Sequence, residues 1–329
     1  MSASLLAPTN TESELHRLLE HARDVSRLGD SSSEMARTAE DQLFRVLKVS
    51  NLSDISGVDT LRWIDMSLKG APTCCIERPL TISTMRSRMK HLNAKCARAG
   101  LPRLFGPEAW RHFDAVAREY GVPPTPKRAA TDPVMRTLLG PIDEARLRDV
   151  QLRAVALFGR ATRQRGVEFL GLDCADIRDH ELGVIVRFTF AKNHQDGEPD
   201  YIEIPYHEDP SLCPVRALRT WQQRGGITSG WVFRSFARGT GERITDRRLR
   251  TRTARQNLKD LAVRAGLDPA EFGLHSLRRG GITEAVLRGE TPQELRRHSR
   301  HESDLGWMGY VDPAALRDYL YERGLSLGY

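Results

Sequence analysis

The stretch Leu-His-Ser-Leu-Arg-Arg-Gly-Gly at residues 274–281 decides how this chain of 329 residues is interpreted. Inside it, His275 and Arg278 form a His-x-x-Arg pair. A second histidine, His301, follows His275 by 26 positions, and Tyr310 follows His301 by nine. A His-x-x-Arg pair occurs often by chance. The weight therefore rests on the order and spacing of all four residues together.

Two further elements lie upstream. Arg165 is followed three residues later by an acid, Glu168. Apolar and polar residues alternate over residues 182–190 and again over 201–205, with a turn containing Gly and Pro between them. This pattern predicts a small antiparallel hairpin, with Lys192 at the end of its first strand.

The sequence predicts two domains and a linker. Residues 1–122 carry apolar residues every three or four positions and no strand pattern, which predicts a helical domain. Residues 123–135 are rich in proline, which favours an extended linker. Residues 136–329 combine helical patterns with the hairpin. The predicted fold class is therefore mainly α with a small antiparallel β-sheet in the C-terminal domain.

The helices predicted from this periodicity lie at residues 11–27, 33–49, 58–68, 82–99, 107–120, 142–160, 214–224, 245–265, 276–288 and 313–323.

Charge is concentrated in two places. The chain has 50 Lys plus Arg against 43 Asp plus Glu, a net charge of +7. Residues 78–103 carry a net charge of +7 and residues 243–259 a net charge of +6, so the rest of the chain carries about −6. These two segments overlap the predicted helices at 82–99 and 245–265. We expect both segments to contact DNA, and the second to enter a major groove. The predicted DNA-binding residues are Arg86, Arg88, Lys90, Lys95, Arg247, Arg248, Arg250, Arg252 and Arg255.

Composition excludes several classes of protein. No apolar run reaches the roughly 18 residues of a membrane span, and the first 20 residues lack a signal pattern, so a cytoplasmic protein without membrane contact is expected. Five cysteines without Cys-x-x-Cys spacing argue against a disulfide scaffold and a zinc ribbon. His298 and His301 are three residues apart, but no cysteine or carboxylate set completes a metal site. No metal or cofactor is therefore expected.

The order of these elements resembles the tyrosine recombinase (phage integrase) family in its Cre-like form. The family shares an arginine followed by an acid, a lysine on a β-hairpin, a His-x-x-Arg pair, a second histidine and a tyrosine nine residues later. The resemblance covers most of the chain and implies a two-domain, C-shaped clamp around DNA. It also implies that the catalytic residues are Arg165, Lys192, His275, Arg278, His301 and Tyr310, with Glu168 in support.

The resemblance further implies a site-specific recombinase that cleaves and rejoins DNA through a 3′-phosphotyrosyl intermediate and exchanges strands via a Holliday junction. Tyr310 is the expected nucleophile, and the arginines hold the phosphate. The expected partners are double-stranded DNA with short inverted repeats and three further copies of the chain, in a homo-tetrameric synaptic complex. The terminal helix at 313–323 is expected to dock into a neighbouring protomer. If the protein is bacterial, it would associate with the nucleoid.

The chain also departs from common family patterns. Many members have His-Thr after the second arginine, where this chain has Arg-Gly-Gly at residues 279–281. Many have glycine before the second histidine, where this chain has Arg300, and threonines before the tyrosine, where it has Gly306 and Trp307. Two alternatives remain open at this stage. One is a type IB topoisomerase, which resembles the same catalytic set. The other is a DNA-binding regulator that has lost catalysis.

Overall fold

The structure is a computed structural model that describes residues 34–71, 76–121, 126–188, 199–239 and 242–322. The chain divides into two compact units, one comprising Met1–Thr125 and the other Pro126–Tyr329. No helix in the described ranges combines the length and the apolar character needed to cross a membrane.

The described part of the first unit contains four α-helices and one short 3-10 helix. The α-helices are α1 at residues 34–47, α2 at Gly57–Lys69, α3 at Ile82–Arg98 and α4 at Pro107–Tyr120, and the 3-10 helix is Leu52–Asp54. Helix α2 begins with a capping box, in which the Ser56 hydroxyl accepts from the Asp59 amide and the Asp59 carboxylate accepts from the Ser56 amide. Aromatic residues Trp63, Phe105 and Phe113 are fully buried and centre the core.

The periodicity of the first unit was a reliable guide. On α3, Met85, Met89, Leu92 and Cys96 are buried at steps of three and four, as the pattern predicts. The predicted helices at 33–49, 58–68 and 107–120 are confirmed within two residues of their ends. The predicted helix at 11–27 lies outside the described residues.

The second unit is mainly helical. Its α-helices are α5 at Asp132–Leu139, α6 at Leu147–Thr162, α7 at Gly166–Phe169, α8 at Pro214–Gly225, α9 at Thr251–Arg264, α10 at Leu274–Leu287, α11 at Pro292–Ser299, α12 at Asp304–Met308 and α13 at Pro313–Glu322. Helix α6 is buried along most of its length and packs against α8 and α10. Gly281 permits the close approach of α10 to α6, because a Cβ atom there would overlap the carbonyl oxygen of Arg160.

The described residues of this unit also form two small antiparallel sheets. The first has strands β1 at Ile177–His180, β2 at Gly183–Phe188 and β3 at Asp200–Pro205 in the order β1-β2-β3, and Val186 of β2 pairs with Ile177 and with Ile202. The second pairs β4 at Arg234–Phe236 with β5 at Ile244–Arg248. The β2–β3 hairpin and the mainly helical fold class are confirmed, whereas β1, β4 and β5 were not predicted.

The predicted helix at 245–265 is wrong at its start. Residues 244–248 form β5, and α9 begins only at Thr251. Arg248 pairs with Arg234 in the ladder, and the Leu249 amide donates to the Phe233 carbonyl. Helical periodicity within one segment does not show that the segment pairs with a neighbouring strand, so the arginine-rich strand resembled the first turn of the helix.

The start of the second unit also differs from the predicted linker at 123–135. The unit begins at Pro126, and α5 begins at Asp132. Pro133 lies in the first turn of α5, where a missing amide hydrogen costs no helical hydrogen bond. Met135 and Leu138 of α5 are fully buried in the core of the unit, which explains why the segment belongs to it.

Candidate active site

The centre of the site is a buried arginine on α10. Arg278 is only 1% exposed. Its Nη2 donates to the Ser299 carbonyl at 2.9 Å and to His301 Nε2 at 2.8 Å. Among the residues that the structure describes, its Nε and Nη1 have no hydrogen-bond partner. Buried donors are almost always satisfied, so these two free positions are suited to the oxygens of an anion that enters the site.

The hydrogen bonds around His301 define its protonation. Because Arg278 is always a donor, His301 Nε2 must accept, and the proton of the neutral ring lies on Nδ1. That Nδ1 is 2.7 Å from Ser299 Oγ, which itself donates to the Leu295 carbonyl at 2.5 Å. The fully buried Ser299 therefore fixes both the orientation and the tautomer of His301.

Tyr310 lies directly beside this pair, in the turn between α12 and α13. Its ring centroid is 5.1 Å from the Arg278 guanidinium carbon and 5.2 Å from the His301 ring centroid. The His275 ring centroid is 6.4 Å away. Four of the predicted catalytic residues thus surround one small volume, as the spacing in the sequence predicts.

Arg165 and Glu168 approach the same site from α7. The Glu168 carboxylate accepts from the Arg165 amide at 2.8 Å and from Arg165 Nη1 at 3.2 Å. Gly166 packs so closely on Leu274 that a Cβ atom would overlap its side chain, which brings Arg165 next to the residue before His275. The Glu168 carboxylate therefore holds the Arg165 guanidinium in place.

Burial, together with the neighbouring arginines, lowers the pKa of both histidines. Partial burial, with the positive charges of Arg278 and Arg165, lowers the pKa of His301 to about 4. The same causes lower the pKa of His275. Burial lowers the pKa of the Arg278 guanidinium as well, but a guanidinium stays charged at neutral pH. The site therefore presents positive charge through its arginines and neutral imidazoles that can accept a proton.

The β2–β3 hairpin, on which Lys192 is predicted to lie, contacts this site where its two strands border their connection. Lys192 belongs to residues 189–198, which are outside the described residues. Arg300 Nε is 2.6 Å from an Asp200 carboxylate oxygen, and its guanidinium carbon is 5.6 Å from the centroid of the Phe188 ring. Phe188 ends β2 and Asp200 begins β3, so Arg300, next to His301, contacts the two strand ends that border the connection between β2 and β3.

Arg300 stands where many members of the family have glycine, and its backbone shows why glycine is common there. Its φ angle is 55°, in the left-handed region that favours glycine. The common family glycine fits this backbone without strain. Here an arginine adopts it, with its side chain 3% exposed and ion-paired to Asp200.

The positions before Tyr310 also differ in a defined way. A Cβ atom at Gly306 would lie 3.1 Å from His301 Cδ2, so the glycine leaves room for the imidazole. Trp307 is buried and packs with Ile282, Ala285 and Leu295, and Tyr310 packs against this cluster. Trp307 therefore belongs to the apolar cluster that supports Tyr310.

The basic residues predicted on α3 do not all present free charge. Lys95 pairs with Glu40 of α1, and Arg88 donates to Gln42 of the same helix. Burial lowers the pKa of Arg88. Arg86 is exposed, with its guanidinium carbon 5.3 Å from the centroid of the Phe113 ring, and Lys90 is exposed. Arg86 Nη2 also lies 3.8 Å from an Asp114 carboxylate oxygen, so three of the four side chains make contacts within the first unit.

The second basic segment is divided between two elements. Arg247 and Arg248 lie on β5, Arg250 is the N-cap of α9, and Arg252 and Arg255 lie on α9. Arg248 is half-buried, with its guanidinium carbon 5.7 Å from the centroid of the Trp231 ring, and the other four are exposed. These four exposed arginines are the part of the prediction that can reach a phosphate backbone without rearrangement.

Two residues of the site were missed by the sequence analysis. Ser299 and Arg300 precede His301 directly, but a serine and an arginine have no signature that marks them as supports of an imidazole. Across the residues that the structure describes, no group of three or more His, Cys, Asp or Glu side chains is arranged to hold a metal ion.

Comparison with known proteins places this geometry in context. No protein-family model matches the chain. It is 30% identical over 203 residues to a protein of Selenomonas ruminantium described as an integrase/recombinase xerD homolog, a match that covers 61% of this chain and 58% of that protein. The chain thus spans somewhat more than half the length of this relative.

Several solved structures of recombinases and integrases have a similar fold. The XerH recombinase bound to difH in a pre-cleavage complex matches with a TM-score of 0.55 at 13% identity, over 95% of this chain and 83% of that one. The Tn1549 transposon integrase bound to circular intermediate DNA matches at 0.54 and 14% identity, over 86% and 92%. A lambda integrase dimer bound to a core site matches at 0.52 and 13% identity, over 90% and 94%.

Proposed function

Since the chain is related in sequence to an integrase/recombinase and has the fold of tyrosine recombinases, we propose that it is a site-specific DNA recombinase. It cleaves and rejoins DNA through a 3′-phosphotyrosyl intermediate and exchanges strands via a Holliday junction. The observation that supports this most strongly is the buried Arg278, with two unpaired donor positions, beside the ring of Tyr310.

The proposed cleavage step conserves the phosphodiester energy. The Tyr310 oxygen attacks phosphorus and loses its proton, the bond from phosphorus to the 5′-oxygen breaks, and the departing oxygen gains a proton. The neutral His275, with its lowered pKa, is the base for the phenol proton. Lys192 is the proposed acid for the 5′-oxygen. Rejoining is the reverse of this step, so neither ATP nor a metal ion takes part.

The arginines stabilise the transition state in this mechanism. Arg278 offers Nε and Nη1 to the non-bridging oxygens, and Arg165, oriented by Glu168, supplies a second guanidinium. His301 Nε2 accepts from Arg278 in the free enzyme, so it can donate to a phosphate oxygen only after it gains a proton. A bound phosphate favours that proton, because its negative charge raises the pKa of a neighbouring imidazole.

We further propose that the substrate is double-stranded DNA with short inverted repeats, bound by a homo-tetramer. The exposed arginines Arg247, Arg250, Arg252 and Arg255 support the DNA contact. Helix α13 supports the assembly, since Leu316 and Tyr319 form a partly buried stripe on it. Deletion of residues 312–329 should weaken synapsis, and undiminished synapsis would count against this assembly.

The experiment that tests the proposal begins with selection of a binding site from random-sequence duplexes by the purified protein. The selected site is then prepared with a nick next to the scissile bond, so that the cleaved fragment diffuses away and the covalent complex accumulates. Formation of a protein–DNA adduct supports the proposal. Relaxation of a plasmid that lacks the site would instead indicate a topoisomerase, and site-specific binding without an adduct would indicate a regulator.

A further inference from the structure

Arg279, next to the phosphate-facing Arg278, points its side chain toward the backbone of the tyrosine. The residue is 8% exposed. Its Nε donates to the Tyr310 carbonyl at 3.1 Å, and its Nη2 donates to the Val311 carbonyl at 3.2 Å. Its Nη1 donates to the Lys127 carbonyl at 2.7 Å. One guanidinium thus binds three backbone carbonyls from two segments that are 180 residues apart in sequence.

A second set of hydrogen bonds joins the same two segments. The Thr283 hydroxyl donates to the Tyr310 carbonyl at 3.4 Å and accepts from the Asp312 amide at 3.1 Å. The Asp312 carboxylate accepts from the Ala129 amide at 3.3 Å, and an Asp312 oxygen lies 3.9 Å from Arg279 Nη2. Residues 127–129 and 310–312 are therefore connected directly as well as through α10.

The glycine after Arg279 makes this arrangement possible. The Ala130 amide donates to the Ser276 carbonyl at 3.0 Å, so residues 127–130 pack against α10. A Cβ atom at Gly280 would overlap the backbone of Ala130. Gly280 therefore leaves room for residues 127–130 beside α10, and Arg279 connects these residues to the backbone of Tyr310 by hydrogen bonds.

Only a guanidinium can make this set of contacts. It offers five N–H donors in one plane, whereas an ammonium group is a point charge on a flexible stem. Charge-assisted hydrogen bonds to backbone carbonyls are stronger than neutral ones. A displacement of about 1 Å at a reacting group can cost on the order of 100-fold in rate, so a fixed backbone at the nucleophile matters for cleavage.

We infer that Arg279 is a positioning residue that holds the backbone of Tyr310 and couples the position of the nucleophile to residues 127–129, at the start of the second unit. This inference rests on the proposed function for its catalytic consequence, and on the hydrogen bonds alone for the coupling. A shift of residues 127–129 is thereby transmitted to the tyrosine without passing through Arg278 or either active-site histidine.

The test compares Arg279→Met with a matched control, Arg163→Met. Arg163 is also buried in the second unit, but it pairs with Glu290 through two hydrogen bonds of 2.6 Å. Single-turnover adduct formation is measured on the nicked substrate at saturating protein, below the unfolding temperature of each variant. We expect Arg279→Met to lower the cleavage rate constant at least tenfold with DNA affinity unchanged within twofold, and Arg163→Met to cleave within twofold of wild type.

Hydrogen–deuterium exchange provides a readout that needs no activity. In Arg279→Met, peptides that cover residues 127–130 and 310–316 should both exchange faster, while Arg163→Met should leave these peptides unchanged. If the wild type forms no adduct on any DNA, the proposed function fails, and the exchange data still decide whether the two segments are coupled. Unchanged exchange in both segments would overturn the coupling.

Milder variants keep the test decisive if Arg279→Met does not fold. Arg279→Lys retains the charge but not the fork, and Thr283→Val removes a hydroxyl with little change of shape. Both should slow cleavage and raise exchange in the same two segments, by smaller factors than Arg279→Met. Wild-type cleavage rates in folded Arg279 variants, or an equal loss of rate in Arg163→Met, would overturn the positioning role.

Discussion

Replacement of Ser299 by alanine should slow DNA cleavage strongly and disturb the fold little. Ser299 is fully buried, and its hydroxyl lies 2.7 Å from His301 Nδ1. The substitution removes one oxygen atom and leaves the Ser299 backbone carbonyl in place as an acceptor for Arg278. The change therefore removes two side-chain hydrogen bonds, the one that fixes the tautomer of His301 and the one to the Leu295 carbonyl.

The expected loss of cleavage rate follows from the hydrogen bond to His301, since the bond to the Leu295 carbonyl does not involve a catalytic group. A neutral intramolecular hydrogen bond contributes about 0.5–1.5 kcal/mol, and a buried donor left without a partner costs about 1–3 kcal/mol. If the loss is felt in the transition state, about 1–3 kcal/mol corresponds to a reduction in rate of roughly 5–150-fold. The free energy of unfolding should fall by about 1–2 kcal/mol, since the serine to alanine change leaves almost no cavity.

The assay is single-turnover adduct formation by Ser299→Ala, with Thr162→Val as the control. Thr162 is also fully buried in this unit, but its hydroxyl donates only to the Gly159 carbonyl of its own helix. The control should cleave within twofold of wild type. Wild-type cleavage by Ser299→Ala would refute the reasoning, because it would show that the orientation of His301 does not depend on this hydroxyl.

Three further predictions concern stability and binding. Arg300→Ala should lower the free energy of unfolding by about 1–3 kcal/mol because it removes a buried ion-paired group. Arg300→Gly should lose about 1 kcal/mol less, because glycine tolerates the positive φ angle. Equal losses for the two variants in urea unfolding would contradict the strain argument. Stability should fall as the pH decreases below about 6.5, since the folded-state pKa values of His298 and His301 are lowered to about 3 and about 4 and the unfolded chain binds more protons there. A urea midpoint that is constant from pH 7 to pH 4.5 would contradict this sign. DNA affinity should fall steeply, by about 100-fold, between about 50 and 200 mM salt if the four exposed arginines of the segment at 243–259 each contact a phosphate, and a flat salt dependence would exclude that role.

The sequence predicted the elements whose signal is local. Helices α3 and α4 carry a buried residue every three or four positions, and they were placed almost to the residue. Strand β5 was mistaken for helix because its stability comes from pairing with β4, about ten residues upstream in the chain. Strand β1 was missed because three of its four residues are exposed, so it shows no apolar alternation.

The sequence likewise predicts some residues of the candidate site and not others. The spacing of His275, Arg278, His301 and Tyr310 was enough to predict that these side chains meet, and the described geometry brings them together. Arg279 was noticed only as a departure from the family pattern. Its side chain donates to backbone carbonyls. Every residue has a backbone carbonyl, so the sequence does not indicate which carbonyls an arginine will contact.

The central claim is that Tyr310 is the nucleophile that attacks DNA. The most direct measurement is to digest the covalent complex formed on the nicked substrate and to locate the nucleotide-bearing peptide by mass spectrometry, with Tyr310→Phe in parallel. The account predicts a nucleotide attached through a 3′-phosphate to Tyr310 and no adduct in the phenylalanine variant. An adduct that persists in Tyr310→Phe, or one that maps to Tyr319 or Tyr321, would contradict it.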